Sequence, residues 1–269
     1  VPVRAVPREK RYPLADRVFL KKEDFMKLSA RVITAAAVAL LFLAPAWTGA
    51  LAQPSWEFGL KAGVSATKLT GDAVKDIGYY DDADNNAKGD VTDMKVGFVG
   101  GGYATMHMNT QFGVRLEALY FQKGGKGSLD GVESGQTFSA DVTWTLDYFE
   151  LPLLAVYSIP AGVSGSFDIF AGPALGFKVS SKSKEEWTAG AESGTIEEDI
   201  NNVKSTDFGG VVGVGFTMGL SSVDLFADAR WEWGFTKLDD SEAKADVKNS
   251  AFGFMVGVGF PLGKGGGTP

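Results

Sequence analysis

Beyond residue 53 the chain alternates apolar and polar residues one by one over eight separate segments, the pattern of strands with one greasy face. The most apolar is Thr145 to Tyr157, where Phe149, Leu151, Leu153, Ala155 and Tyr157 share one face and Tyr148, Glu150, Pro152, Leu154 and Val156 the other. A glutamate and a proline in mid-run argue against a helix core. About a dozen residues are too few for a spanning helix but suit a tilted transmembrane strand. The other apolar faces are Trp56, Phe58, Leu60, Ala62, Val64 and Ala66; Met94, Val96, Phe98, Gly100, Gly102 and Ala104; and Phe112, Val114, Leu116, Ala118 and Tyr120. After the central run come Phe167, Ile169, Ala171, Pro173, Leu175, Phe177 and Val179; then Phe208, Val212, Val214, Phe216 and Met218. The last two are Val223, Leu225, Ala227, Ala229, Trp231, Trp233 and Phe235, and Phe252, Phe254, Val256, Val258 and Phe260.

None of these faces carries a charge. The opposite parity holds Glu57, Lys61, Lys95, Arg115, Glu117, Glu150, Asp168, Lys178, Asp207, Asp224, Asp228, Arg230 and Glu232. A soluble barrel would turn the apolar faces inward, whereas a membrane barrel inverts them and pairs the charges in its lumen. Parity alone does not distinguish the two. Aromatic residues at the ends of the apolar faces (Trp56, Tyr120, Tyr157, Trp233, Phe260) favour the membrane arrangement, in which girdles mark both interfaces. Connections alternate as well: short around Met108-Asn109, Pro160-Ala161-Gly162 and Gly219-Leu220-Ser221, long and polar over Thr70 to Val91, Gly124 to Val142, Ser181 to Lys204 and Leu238 to Lys248. The expected fold is therefore all-β, an eight-stranded antiparallel up-and-down transmembrane barrel with short periplasmic turns and long outer loops.

The N-terminal region reads as an address. Residues 1–25 show no sustained periodicity and read as a mis-assigned upstream extension. From Met26 a basic n-region (Lys27, Arg31), an apolar stretch (Val32 to Leu43) and Ala50-Leu51-Ala52 before Gln53 form a secretory signal over 26–52. The barrel domain is expected over 53–263, with a glycine-rich tail at 264–269. The absence of cysteine excludes disulfides and thiolate chemistry. A net charge of −7 with 35 glycines fits a β-protein with acidic loops and argues against nucleic-acid binding.

Four pieces carry a family resemblance: Phe58-Gly59-Leu60-Lys61-Ala62-Gly63-Val64; Gly113-Val114-Arg115-Leu116-Glu117-Ala118-Leu119-Tyr120-Phe121-Gln122-Lys123-Gly124; Leu146-Asp147-Tyr148-Phe149-Glu150-Leu151-Pro152-Leu153-Leu154; and Phe170-Ala171-Gly172-Pro173-Ala174-Leu175-Gly176. In order and spacing they resemble the PorT-like outer-membrane β-barrels, also described as porin-family or outer-membrane β-barrel-domain proteins. The resemblance implies eight strands, outer-membrane lipid and the barrel assembly machinery as partners, and a role with envelope-assembly or secretion proteins. The ending departs from the family pattern, since Phe260 is followed by Pro261-Leu262-Gly263-Lys264 instead of closing the chain.

Candidate chemistry is sparse. The one histidine, His107, falls in a tight turn on the expected periplasmic side, where it reads as a solvated turn residue. Lys61, Arg115, Glu117, Glu150, Asp228, Arg230 and Glu232 are expected to form a lumen charge network, with Lys178 nearby and Arg115 as the partner of Glu150. Asp82, Asp84, Asn86, Asp90 and Asp93 match positions 1, 3, 5, 9 and 12 of an EF-hand count, but Ala87 replaces the glycine at 6 and position 12 is not glutamate. A solvated acidic loop is the simpler reading, with weak divalent-ion binding as its alternative. No cofactor motif is present, and no catalytic residue is assigned. The functional expectation is a non-catalytic outer-membrane barrel with a structural, surface-interaction or envelope-assembly role. A narrow channel for small solutes, a secreted lipocalin-like carrier and an envelope enzyme remain open as alternatives.

Because the signal is complete from Met26, a chain lacking Val1 to Phe25 should be exported and inserted as before. Immunoblotting of outer-membrane fractions checks this, and loss of the mature protein from them would show that the upstream piece is needed.

Overall fold

The computed structural model describes residues 54–75, 77–80, 85–241 and 245–262; the expected upstream extension, signal and C-terminal tail lie outside them. In chain order the strands are β1 (Ser55–Thr70), β2 (Ile77–Tyr80), β3 (Asn86–Asp93), β4 (Lys95–His107), β5 (Phe112–Glu133), β6 (Gln136–Ala161), β7 (Gly165–Ala189), β8 (Glu192–Asp199), β9 (Thr206–Gly219), β10 (Asp224–Gly234) and β11 (Lys248–Leu262). A single 3-10 turn, Asp72–Val74, follows β1.

Eight of these strands close a ring. β1 pairs with β4 on one side and with β11 on the other, the latter from Trp56↔Leu262 to Thr70↔Lys248. The ring continues through β4–β5, β5–β6, β6–β7, β7–β9, β9–β10 and β10–β11, all antiparallel. The first and last barrel strands are thus neighbours, and no barrel edge is left to pair with another chain.

Side-chain parity settles which face is which. The apolar set is exposed, with Leu60 at 64% and Val96 at 72%, while Glu117 and Arg230 are each 1% exposed. A lipocalin-like carrier needs the opposite arrangement. Aromatic contacts mark both rims of the outer surface: Phe112–Tyr157 and Phe167–Phe216 lie near the short turns, and Trp231–Trp233 and Phe208–Phe235 near the other end. The short turns fall where the sequence puts them. At the β4–β5 turn, Asn109 Oδ1 accepts from the N–H groups of Gln111 and Phe112 at 2.9 and 2.8 Å.

The long connections differ from expectation. β5, β6 and β7 contain 22, 26 and 25 residues, whereas about ten suffice to cross a bilayer. Much of what reads as loop in Gly124 to Val142 and Ser181 to Lys204 is strand continuing past the membrane. β5 and β6 turn through Ser134 and Gly135, with φ of 53° and 75°, the left-handed pair that suits a two-residue hairpin. β3 lies along the outer part of β5 and carries β2, and β8 folds back along β7. The projecting sheet therefore runs β2-β3-β5-β6-β7-β8. Acidic, glycine-bearing segments read as loops because their apolar residues are few, yet their backbone groups still pair.

Two prolines loosen the ladder at the barrel's waist. The β5–β6 pairing is interrupted between Leu116↔Leu153 and Leu119↔Glu150, and the β6–β7 pairing between Ala155↔Ala171 and Pro152↔Ala174, with the register unchanged across each gap. Pro152 and Pro173 lack the N–H that a continuous ladder uses.

Leu153 is 40% exposed on the lipid face. Leu153→Arg should cost about 2–4 kcal/mol if that position lies near the bilayer midplane. The check is the fraction of protein that keeps a folded, faster gel band before boiling. Full retention of that band would place Leu153 off the lipid face.

Candidate functional site

The lumen is built by alternation. Every second residue of the barrel strands points inward, and these positions carry charged side chains such as Glu117 and Arg230, apolar ones such as Leu119, Phe121, Phe170 and Met255, and glycines that make room for both. A Cβ at Gly213 would collide with the Phe170 ring, and one at Gly257 with the Phe226 ring. At Gly253 it would lie 3.3 Å from Cγ of Arg230. Large and absent side chains thus interlock across a narrow barrel.

Glu117 is the centre. Its Oε1 accepts from Lys61 Nζ at 2.6 Å, and its two oxygens accept Arg230 as a fork, NH1 to Oε2 at 2.6 Å and NH2 to Oε1 at 3.1 Å. Lys61 Nζ also donates to Asp228 Oδ2 at 3.1 Å, and Arg230 approaches Asp228 at 3.6 Å and Glu232 at 3.7 Å. Glu232 continues the chain to Lys123 at 3.2 Å, whose Nζ meets Glu150 Oε1 at 2.6 Å. These side chains are between 0 and 6% exposed. Phe170 stands 5.3 Å from the Arg230 guanidinium and Phe121 4.9 Å from Lys123 Nζ, so aromatic faces fill the remaining space.

Three placements correct the sequence reading. Arg115 is not the partner of Glu150: its Nε donates to Thr105 Oγ1 at 3.0 Å, and its guanidinium lies 4.8 Å from the centroid of Tyr103, whose hydroxyl donates to Glu57. Lys123 takes the role assigned to Arg115. It has the inward parity of Arg115 and Glu117, and it was legible had the strand been extended two residues past Phe121. Lys178 lies outside the ion chain, donating to the Val203 carbonyl at 2.6 Å.

At the short-turn end the lumen opens into a polar cavity of about 310 Å³. His107 is the last residue of β4, not a free turn residue, and its Nε2 lies 3.5 Å from Glu57 Oε2. Across the mouth, Asp168 accepts from Ser158 Oγ at 2.6 Å, Ser166 Oγ at 3.2 Å and Thr217 Oγ1 at 2.7 Å. The hydroxyls at this mouth therefore serve a carboxylate, while the histidine faces another carboxylate. Among the described residues no hydroxyl is hydrogen-bonded to His107, whose partner is Glu57.

The structure describes three of the five residues of the divalent-ion reading. Asn86, Asp90 and Asp93 belong to extended strand β3, with Asp90 Oδ1 accepting from the Thr92 hydroxyl at 2.9 Å. A twelve-residue chelating loop must curl around its ion, which a strand paired to β5 does not do. Asp82 and Asp84 lie outside the described residues.

The opposite, long-hairpin end is capped by apolar residues. Leu69, Val74, Val91, Val142, Leu146, Tyr148, Leu238 and Val247 form one buried cluster. The connections over it are stitched together: Lys204 N–H donates to the Leu238 carbonyl at 2.8 Å, Asp240 N–H to Asn202 at 2.9 Å and Leu238 N–H to Val247 at 2.7 Å.

A closed ring with an apolar exterior, aromatic rims and an ion-packed interior defines a transmembrane β-barrel. The family model described as Outer membrane protein beta-barrel domain matches residues 51–240, and the chain belongs to that family. Membership implies an outer-membrane location. Solved structures similar to this chain include the attachment invasion locus protein Ail of Yersinia pestis, at 16% identity over 77% of this chain and 98% of that one, with a TM-score of 0.32. They also include OprG of Pseudomonas aeruginosa (14%, 77% and 95%, 0.33) and the protease OmpT of Escherichia coli (10%, 80% and 99%, 0.35). At such identities none of them lends this chain an activity. Among curated proteins, none matches the chain.

Breaking the ion chain at Lys123 should be costly. Lys123→Met leaves Glu150 and Glu232 without their shared cation and should destabilise the barrel by about 3–5 kcal/mol. Adding Glu150→Gln should recover part of that loss. Unfolding by denaturant in detergent measures both, and equal stability of wild type and Lys123→Met would show that the pair contributes nothing.

Proposed function

We propose that this protein is a non-catalytic, non-conducting outer-membrane barrel of the PorT-like kind, which displays its projecting sheet for interactions at the cell surface or in envelope assembly. The observation that carries this reading is the blocked lumen: a buried ion chain centred on Glu117 lies beneath an apolar cap closed by Leu238 and Val247. A transport route needs a wet path, and both layers interrupt it.

The projecting sheet is the natural contact surface. β8 presents Glu192, Glu197, Glu198 and Asp199 in an exposed strand that, among the described residues, pairs with β7 alone. Lys184 and Glu186 pair at 2.9 Å on the neighbouring strand, and their mutual hydrogen bond lowers the glutamate's pKa and raises the lysine's. Both remain ionised through the neutral range, so the surface keeps its charge pattern there. Export by a signal cleaved after Ala52 and insertion by the barrel assembly machinery complete the reading.

Two measurements test it. Purified protein in planar bilayers should show no reproducible ion-selective conductance; selective conductance shifted by Arg230→Glu would establish a pore instead. Excision of Ser183–Glu198, which joins the paired residues Lys182 and Asp199, should leave the boiling-dependent gel shift intact. Loss of that shift would make the projecting strands part of the barrel's own stability and not a display surface.

A further inference from the structure

The apolar cap is not solid. Between the outer ends of β1 and β6 and the two stitched connections lies a cavity of about 220 Å³, walled by Leu69, Trp144, Leu146, Ile200, Leu238 and Val247. We propose that this cavity is a binding site for a small uncharged apolar molecule of one or two rings.

Size is the first argument. An apolar cavity of about 150 Å³ inside a protein stays dry and takes up benzene, so a cavity of this volume accommodates a somewhat larger hydrophobe. Water is a poor occupant, because a retained water needs two to four polar partners. The Asp239 carboxylate and the Asn202 carbonyl at the rim are already engaged. Asp239 accepts from Ser241 N–H at 2.9 Å, Ser241 Oγ at 2.7 Å and Ala245 N–H at 2.7 Å, and the backbone carbonyl of Asn202 accepts from Asp240 N–H.

Charge selects the class. The hydrogen bonds to Asp239, from the Ser241 hydroxyl above all, and the Lys204 cation beside it hold its carboxyl below the usual range, so the one charge at the rim is already compensated. The walls carry no charge, and an ionised ligand would give up its hydration there without gaining a partner. Trp144 contributes its indole to the wall, which suits an aromatic guest. Leu69 and Leu146 are 1% and 2% exposed and belong to the inward parity of their strands, opposite to the lipid-facing set. The cavity therefore opens at the outer end of the barrel and not sideways into the bilayer. This site is independent of the surface-display role: the cavity would bind whether or not the projecting sheet has a partner.

The test is a titration of the folded protein in lipid nanodiscs, carrying labelled Ile, Leu and Val methyl groups, with toluene and with naphthalene. Methyl signals of Leu69, Ile200, Leu238 and Val247 should shift and saturate, while those of Leu60 and Val64, on the lipid face, drift in proportion to hydrophobe in the membrane. Ala245→Phe, which fills the cavity, should weaken saturable binding by about tenfold or more. Ala73→Leu serves the same purpose if the first variant loses its folded gel band. Benzoate should not bind. Cavity-wall methyls that merely track Leu60 and Val64, saturation unchanged in a folded filled variant, or benzoate binding as tightly as toluene would each overturn the proposal.

Discussion

The constraint on which everything else rests is that a chain in hydrocarbon must satisfy every backbone N–H and C=O from within itself. A sheet does this only by closing, and here closure falls to the pairing of β1 with β11, the two ends of the domain. That single ladder brings residues nearly two hundred positions apart into register, and every other barrel pairing is local by comparison. Once the ring is closed its outer face must be apolar, and the period-two alternation then sends the polar residues inward.

An inward charge is acceptable only with a partner, because several kcal/mol are lost for each ion stranded away from water. The lumen meets this with a chain in which each cation touches two carboxylates: Lys61 with Glu117 and Asp228, and Lys123 with Glu150 and Glu232. Arg230 serves as the fork that joins the two groups. The glycines are the complement of this arrangement. Gly253 accommodates the stem of Arg230, and Gly213 leaves space for the Phe170 ring beside its guanidinium. Sequence positions that look like weak strand interiors are thus where the filling of the lumen is decided.

The eight barrel strands and their parity were legible because they depend only on neighbouring residues. The ring and its eight members follow from alternation and turn spacing. Partner identity was not legible: with Leu119 opposite Glu150, Arg115 and Lys123 both lie four pairs away, opposite Leu154 and Leu146, and what separates them is the rest of their surroundings, Thr105 and Tyr103 for Arg115 and Glu232 for Lys123. No periodicity in either strand contains those neighbours. The projecting hairpins were missed for a different reason. Outside the membrane both faces of a strand meet water or a thin cap, so the apolar alternation that marks a strand fades, as in Glu192–Asp199, where nearly every residue is exposed. What remains to hold such strands is backbone pairing, which leaves little trace in residue type.

The cap follows from joining these two regimes. Below it, ions need a dry, fixed environment for their short contacts to persist against competition from water; above it, the strands are solvated. Something apolar must separate the two, and the side chains available at that level are Leu69, Leu146 and Tyr148 from the barrel and Leu238 and Val247 from the connections. Barrel strands diverge in what they can contribute there, because the connections over the lumen are held by a few backbone hydrogen bonds and an isolated bridge between Val203 and Asp239, not by a continuous ladder. Such a cover shields the ions without packing to full density, and a cavity is the expected remainder. The same layer that blocks the lumen is therefore the layer in which a small apolar guest gains contacts that the protein leaves unmade.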